Sequence, residues 1–188
     1  YPASRTQEMM PLISLFLKTL GIEKCYLLGY SMGGTLCNHF AAQYPQHLLG
    51  LILLSSVGPT PHRAYRQLRP KWTYSLLTGV LKPLALPILR FLFQKSGFPR
   101  GISDETLLHV TQYAMQLDFA EHKKCMQKIQ CKTLLIYTEN DPLIEKQIFL
   151  SIEQALPQVE SLVFDKGGHC PQREHFETIS QAIIDFHA

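Results

Sequence analysis

The sequence predicts an α/β fold, a parallel sheet flanked by helices and interrupted by a helical insertion. Three observations carry this expectation. Helix-period and strand-like segments alternate over the first 57 residues. The runs at 25–29 and 48–56 are continuously apolar, as strands buried on both faces are. After residues 58–128, which hold six prolines and no convincing strand, the same alternation returns from residue 131.

The elements follow in order. Ser4-Arg5-Thr6-Gln7 has capping-box spacing, and Met9, Met10, Ile13, Phe16, Leu17 and Leu20 recur at three- and four-residue intervals until Gly21. A helix with a buried stripe is expected there. A strand at 25–29 leads into a helix at 33–44, closed by Pro45, and then a strand at 48–56. Beyond the insertion come a strand at 131–138, a helix at about 145–155, a strand at 161–165, the turn Lys166-Gly167-Gly168-His169 and a last helix at about 172–187. The domain organisation read from this is a core at 1–57 and 129–188, with a helical lid at 58–128.

Bulk properties narrow the function classes. The chain of 188 residues, 46% hydrophobic and 18% charged, suits one globular domain with a sizeable core. Its net charge of +3 is small, and the cluster Arg63, Arg66, Arg69 and Lys71 is too short for a nucleic-acid-binding arm, so no nucleic-acid partner is expected. Five cysteines without a C-x-x-C pair point to a reducing, cytoplasmic setting. The opening YPASRTQEMM lacks the pattern of a signal peptide. The apolar window 76–93 contains Lys82, Pro83, Pro87 and Arg90, and a spanning helix would have to bury both cations.

The chemistry concentrates at three places. Gly29-Tyr30-Ser31-Met32-Gly33 satisfies G-x-S-x-G between a buried strand and a helix, the setting that gives the motif meaning. On this reading Ser31 projects from a strained strand-to-helix turn, glycines on either side leave room for neighbouring backbone, and the Met32 amide faces a developing oxyanion. A serine hydroxyl needs a base, and a base needs an orienting acid. Among eight histidines, His169 alone follows a predicted strand end. His39, His47, His62, His109, His122, His175 and His187 are expected to be surface or packing residues. Asp141, at the end of the 131–138 strand, is the chosen acid, although "ENDPL" also suits an ordinary turn aspartate. Glu139 is the runner-up, and Asp165 lies too close in sequence to His169.

The order Ser31, Asp141, His169, together with "LLGYSMGG", "YTENDPL" and "KGGHCPQREHFETISQAIIDF", resembles the α/β-hydrolase family over nearly the whole chain. The resemblance implies Ser31 as nucleophile, His169 as general base and then acid, Asp141 as orienting carboxylate, and Met32 N–H as one oxyanion donor. It also implies that residues 58–128 form a lid, and that further strands, with the loop supplying a second oxyanion donor, precede the helix that opens this sequence. A missing N-terminal portion is therefore expected, since otherwise the 25–29 strand would present a bare edge. Gly-Tyr-Ser-Met-Gly-Gly is similar to the elbow of the menaquinone-pathway synthase of this fold, where an Arg usually follows; this chain has Thr35. Carbon–carbon hydrolases more often have Asn where Tyr30 stands, and epoxide hydrolases and haloalkane dehalogenases have Asp in place of Ser31.

The expected function is hydrolysis of an ester or thioester of a small or medium apolar acid, a small-molecule substrate, with no metal or organic cofactor. Carbon–carbon hydrolysis, a lyase or synthase step, and a non-catalytic binding role are the alternatives. Tyr65, Trp72, Tyr74, Phe91, Phe93, Phe98, Tyr113 and Phe119 of the lid read either as an acyl or aromatic pocket or as the lid's own core. The lid's apolar and cationic composition also fits a weak contact with a membrane or lipid interface.

Overall fold

The computed structural model describes residues 6–67, 79–95 and 100–187. Ser4 and Arg5 of the capping box and Arg69, Lys71, Trp72, Tyr74 and Phe98 lie outside them. Strands β1 (Cys25–Tyr30), β2 (Leu48–Leu54), β3 (Thr133–Thr138) and β4 (Val159–Phe164) form one parallel sheet in the order β1-β2-β3-β4. The helices are α1 (Thr6–Thr19), α2 (Gly33–Gln43), α3 (Arg63–Gln67), α4 (Lys82–Lys95), α5 (Asp104–Gln116), α6 (Phe119–Met126), α7 (Lys146–Ala155) and α8 (Phe176–His187). Short 3-10 turns at Pro45–His47 and Pro171–Arg173 precede β2 and α8. The α/β class and the order of the elements are as the sequence predicts.

The two-residue period of a strand explains why the central runs are apolar throughout. Leu51, Leu53, Leu135 and Tyr137 face one layer with α1, α2, α6 and α7, packing on Met10, Phe40, Met126 and Phe149. Ile52, Leu54, Leu134 and Ile136 face the other, where Ile179 and Phe186 of α8 cover them. Every residue of β3 is buried, and β2 exposes only Leu49.

Two expectations need correction. Among the described residues β1 is not buried on both faces: most of its side chains are only partly covered, and Leu28 stands half exposed. The stripe of α1 is buried only in part, because the helix rests on the core through Met10 and Leu17 while Phe16 and Leu20 remain exposed. The apolar face is wider than the surface it covers.

The turn from β1 into α2 has unusual backbone geometry. Ser31 adopts φ +53°, a left-handed conformation costing a non-glycine residue about 1–2 kcal/mol. It is held by hydrogen bonds from its amide to Leu54 O at 2.9 Å and from Gly34 N–H to Ser31 O at 3.1 Å. The turn closes tightly, and a Cβ on Gly29 would lie 2.6 Å from Gly34 Cα. A Cβ on Gly34 would lie 1.9 Å from Ser56 Oγ, whereas one on Gly33 would meet nothing within 4 Å. The glycine that the fold needs on the helix side is thus Gly34, not the motif's Gly33.

Behind the turn, α2 packs on α6 through two buried histidines. His39 and His122 stack at 5.5 Å with rings 10° apart, His122 Nε2 lies 3.4 Å from Val57 O, and His39 Nδ1 lies 3.5 Å from Cys125 Sγ. Burial, then the neighbouring His39, push His122 down to about 4, and burial also lowers His39 against the opposing pull of Glu121.

Gly29→Ala is expected to cost about 1–3 kcal/mol through overpacking against Gly34, measured by chemical denaturation, with Gly33→Ala near neutral as its control. A second expectation concerns pH. The fold holds His122 neutral, and the unfolded chain protonates it near the ordinary value of 6.5. Its contribution is therefore complete above about pH 6.5 and declines as pH falls toward 4, at about 1.4 kcal/mol per unit. Urea titrations at neutral and mildly acidic pH should show this decline, and it should shrink in His122→Gln.

Candidate active site

The candidate residues all stand beyond the C-terminal ends of parallel strands, the side of an open α/β sheet where ligands bind. Ser31 follows β1 directly, Asp141 lies in the loop after β3, and His169 lies in the loop after β4. Among the described strands β1 and β4 lie furthest apart, so loops must bring these side chains together.

The structure does bring them together. His169 Nε2 lies 2.8 Å from Ser31 Oγ, and His169 Nδ1 lies 2.8 Å from Asp141 Oδ2. An ionised carboxylate only accepts, which places the imidazole proton on Nδ1 and leaves Nε2 to accept from the Ser31 hydroxyl. Both Asp141 and His169 are buried, at 6% and 2% exposure, so water competes little for this pair.

Asp141 fills both of the roles its sequence suggests. Its Oδ1 accepts from the amides of Leu143 at 2.8 Å and Ile144 at 3.1 Å, closing the turn, and its Oδ2 is thereby aimed at His169. Glu139 instead pairs with Lys146 on the surface, and Asp165 is exposed. Neither occupies the position held by Asp141.

Several supporting residues escape a motif-based reading. Thr138 Oγ1 donates to Gly168 O at 2.6 Å, and Gly168 N–H donates to Asn140 Oδ1 at 2.9 Å, stitching the acid loop to the histidine loop. Gly168 is left-handed at φ +60°, a conformation that suits glycine, and it turns the chain so that His169 reaches back over the sheet. Tyr30 packs its ring 5.4 Å from that of His169, donates to His169 O at 3.1 Å and places its oxygen 3.0 Å from Cys170 Sγ. Burial raises the Tyr30 phenol, which keeps it a donor. The clue to Thr138 and Asn140 was their place beside Asp141 in "YTEND"; the sequence marked Tyr30 only as the residue before Ser31, with nothing to point to its contact with His169.

The Met32 amide stands at the N-terminal end of α2, ahead of the first hydrogen-bonded turns, in which Gly34 N–H and Thr35 N–H donate to Ser31 O and Met32 O. Such amides have no intrahelical acceptor and favour negative charge. His62 approaches the site from the segment between β2 and β3. Its ring lies 6.3 Å from those of Tyr65 and Phe119, and burial, the main cause, lowers its pKa. Tyr65 and Phe119 are buried edge to face at 4.7 Å, whereas Phe91 is exposed and Tyr113 hydrogen-bonds Thr6. Among the described residues no group of His, Cys, Asp and Glu is arranged to hold a metal ion.

Residues 5–176 match the alpha/beta hydrolase fold family. The 2-hydroxy-6-oxononadienedioate/2-hydroxy-6-oxononatrienedioate hydrolase of Paraburkholderia phymatum is 27% identical over 187 residues, covering 90% of this chain and 64% of its own length. The pimeloyl-[acyl-carrier protein] methyl ester esterase of Yersinia enterocolitica is 27% identical over 180 residues, covering 87% and 69%. The chain thus spans about two thirds of the length of these relatives. Among solved structures, an esterase from Exiguobacterium antarcticum superposes with a TM-score of 0.76 at 16% identity, covering 97% of this chain and 74% of its own. A meta-cleavage product hydrolase from Pseudomonas fluorescens superposes with a TM-score of 0.66 at 17% identity, covering 96% and 71%. With its strand-turn-helix at Ser31 and its four-stranded parallel sheet, this chain belongs to the α/β hydrolase fold family.

Proposed function

We propose that this chain carries the catalytic residues of a serine hydrolase acting on an ester or thioester of a small or medium apolar acid. The observation that supports this most is the unbroken relay from Ser31 Oγ through His169 to Asp141, with both links at 2.8 Å. Ser31 attacks the acyl carbonyl while His169 Nε2 takes its proton. Asp141, fixed by its turn hydrogen bonds, holds the imidazole in the required tautomer and stabilises its charged form. The Met32 amide donates to the oxyanion, an interaction of the kind worth about 10²–10³ in rate. His169 then protonates the leaving group and activates water to hydrolyse the acyl-enzyme. Residues 58–128 act as the lid, and the buried Tyr65–Phe119 pair forms part of its apolar interior.

A second reading, carbon–carbon bond hydrolysis, is favoured by the names of several relatives, among them the Paraburkholderia phymatum hydrolase. It would use the same serine and histidine on a carbonyl with a carbon leaving group. A reducing, cytoplasmic compartment, suggested by the absence of a C-x-x-C pair in the sequence, is part of this reading.

A fluorophosphonate probe should label Ser31. Labelling should vanish in Ser31→Ala and slow by about 10²–10⁴ in His169→Ala. Failure of the folded protein to label at Ser31 would remove the proposal. Asp141→Asn should slow labelling far more than Glu139→Gln, and equal losses would reassign the acid. Ester and thioester substrates assayed beside a diketone panel separate the two reaction classes, the first reading requiring faster turnover of the esters.

A further inference from the structure

Among the described residues an exposed apolar stripe lies on α4. This helix buries Ala85 and Leu89 and exposes Leu84 at 69%, Ile88 at 61% and Phe91 at 62%. These three recur at four- and three-residue spacing and so share one face, with Pro83 and Pro87 exposed beside them. A contiguous exposed apolar stripe marks a contact with something outside the molecule.

Charge identifies the partner. From Lys24 to Ser103 the chain contains no Asp or Glu, and residues 58–103 alone carry eight Lys and Arg. The whole chain is only +3, so the remainder is net acidic and positive charge is concentrated in the stretch of sequence that contains α4. Arg66 and Arg90 are engaged by Glu145 and Asp104. Lys82, at the N-terminal end of the stripe, and Arg100, just beyond the helix, are exposed. No helix among the described residues is long and apolar enough to cross a membrane.

We infer that α4 lies in the surface of an anionic lipid membrane, its Leu84–Ile88–Phe91 face entering the boundary between headgroups and acyl chains and the exposed cations Lys82 and Arg100 meeting the lipid headgroups. A nucleic acid would use the cations but leave the stripe exposed. The acid-free segment matches an anionic surface and the apolar stripe matches its acyl layer, so one partner satisfies both. This inference is independent of the catalytic reading, since adsorption requires no turnover.

The test is flotation of the protein with vesicles of phosphatidylcholine alone and of phosphatidylcholine with phosphatidylserine, at low and high salt. The protein should float with the anionic vesicles at low salt, much less at high salt, and weakly with phosphatidylcholine alone. Ile88→Ser combined with Phe91→Ser should cut the bound fraction by about tenfold while the melting temperature stays near the starting value. Lys82→Glu, which leaves the stripe intact, should weaken binding to anionic vesicles only. Absence of flotation with anionic vesicles at low salt overturns the inference. So does undiminished binding by the serine double variant, or capture by duplex DNA without any capture by vesicles.

Discussion

The site depends on a contact between two glycines. β1 can turn into α2 within two residues only because Gly29 and Gly34 approach closer than any side chain would permit. That approach forces Ser31 into the left-handed region and lifts its hydroxyl clear of the helix that follows. The strain persists because the turn is determined from several directions: its amide is bound to β2, its carbonyl receives α2, and Ser56 fills the remaining space against Gly34. The small buried serines after β2 are part of the same device, since a bulkier residue at 56 would displace α2.

On the other side of the site the organising element is a carboxylate with two oxygens put to different uses. Asp141 closes its own turn with Oδ1, and this fixes the direction of Oδ2. The histidine loop is then tied to the acid loop by Thr138, Asn140 and Gly168. The imidazole is thus positioned by backbone contacts of its neighbours as much as by its own hydrogen bonds.

Much of this was legible in the sequence. Continuous apolar runs marked the central strands because those strands are covered on both faces, and the turn residues after them marked where chemistry could sit. Ser31, Asp141 and His169 could each be picked out by position relative to a strand end. What could not be read was anything set by the arrangement of elements rather than by local pattern. Burial of β1 and α1 was overestimated because apolarity says that a face is coverable, not that it is covered. Gly34 outranked Gly33 because the deciding neighbour, Ser56, comes from the segment that follows β2. The contacts of Tyr30 gave no signal for the same reason: its partners, His169 and Cys170, lie at the far end of the chain.

The strand order has a consequence for how such a site fails. The serine follows β1 and the imidazole follows β4, with β2 and β3 between them. Folds open locally at free energies below that of global unfolding. Loss of any one of the three pairings that join β1 to β4 separates the relay while the other pairings persist. Competence at Ser31 therefore reports on every strand pairing between β1 and β4, and a local opening within this set is enough to interrupt the relay.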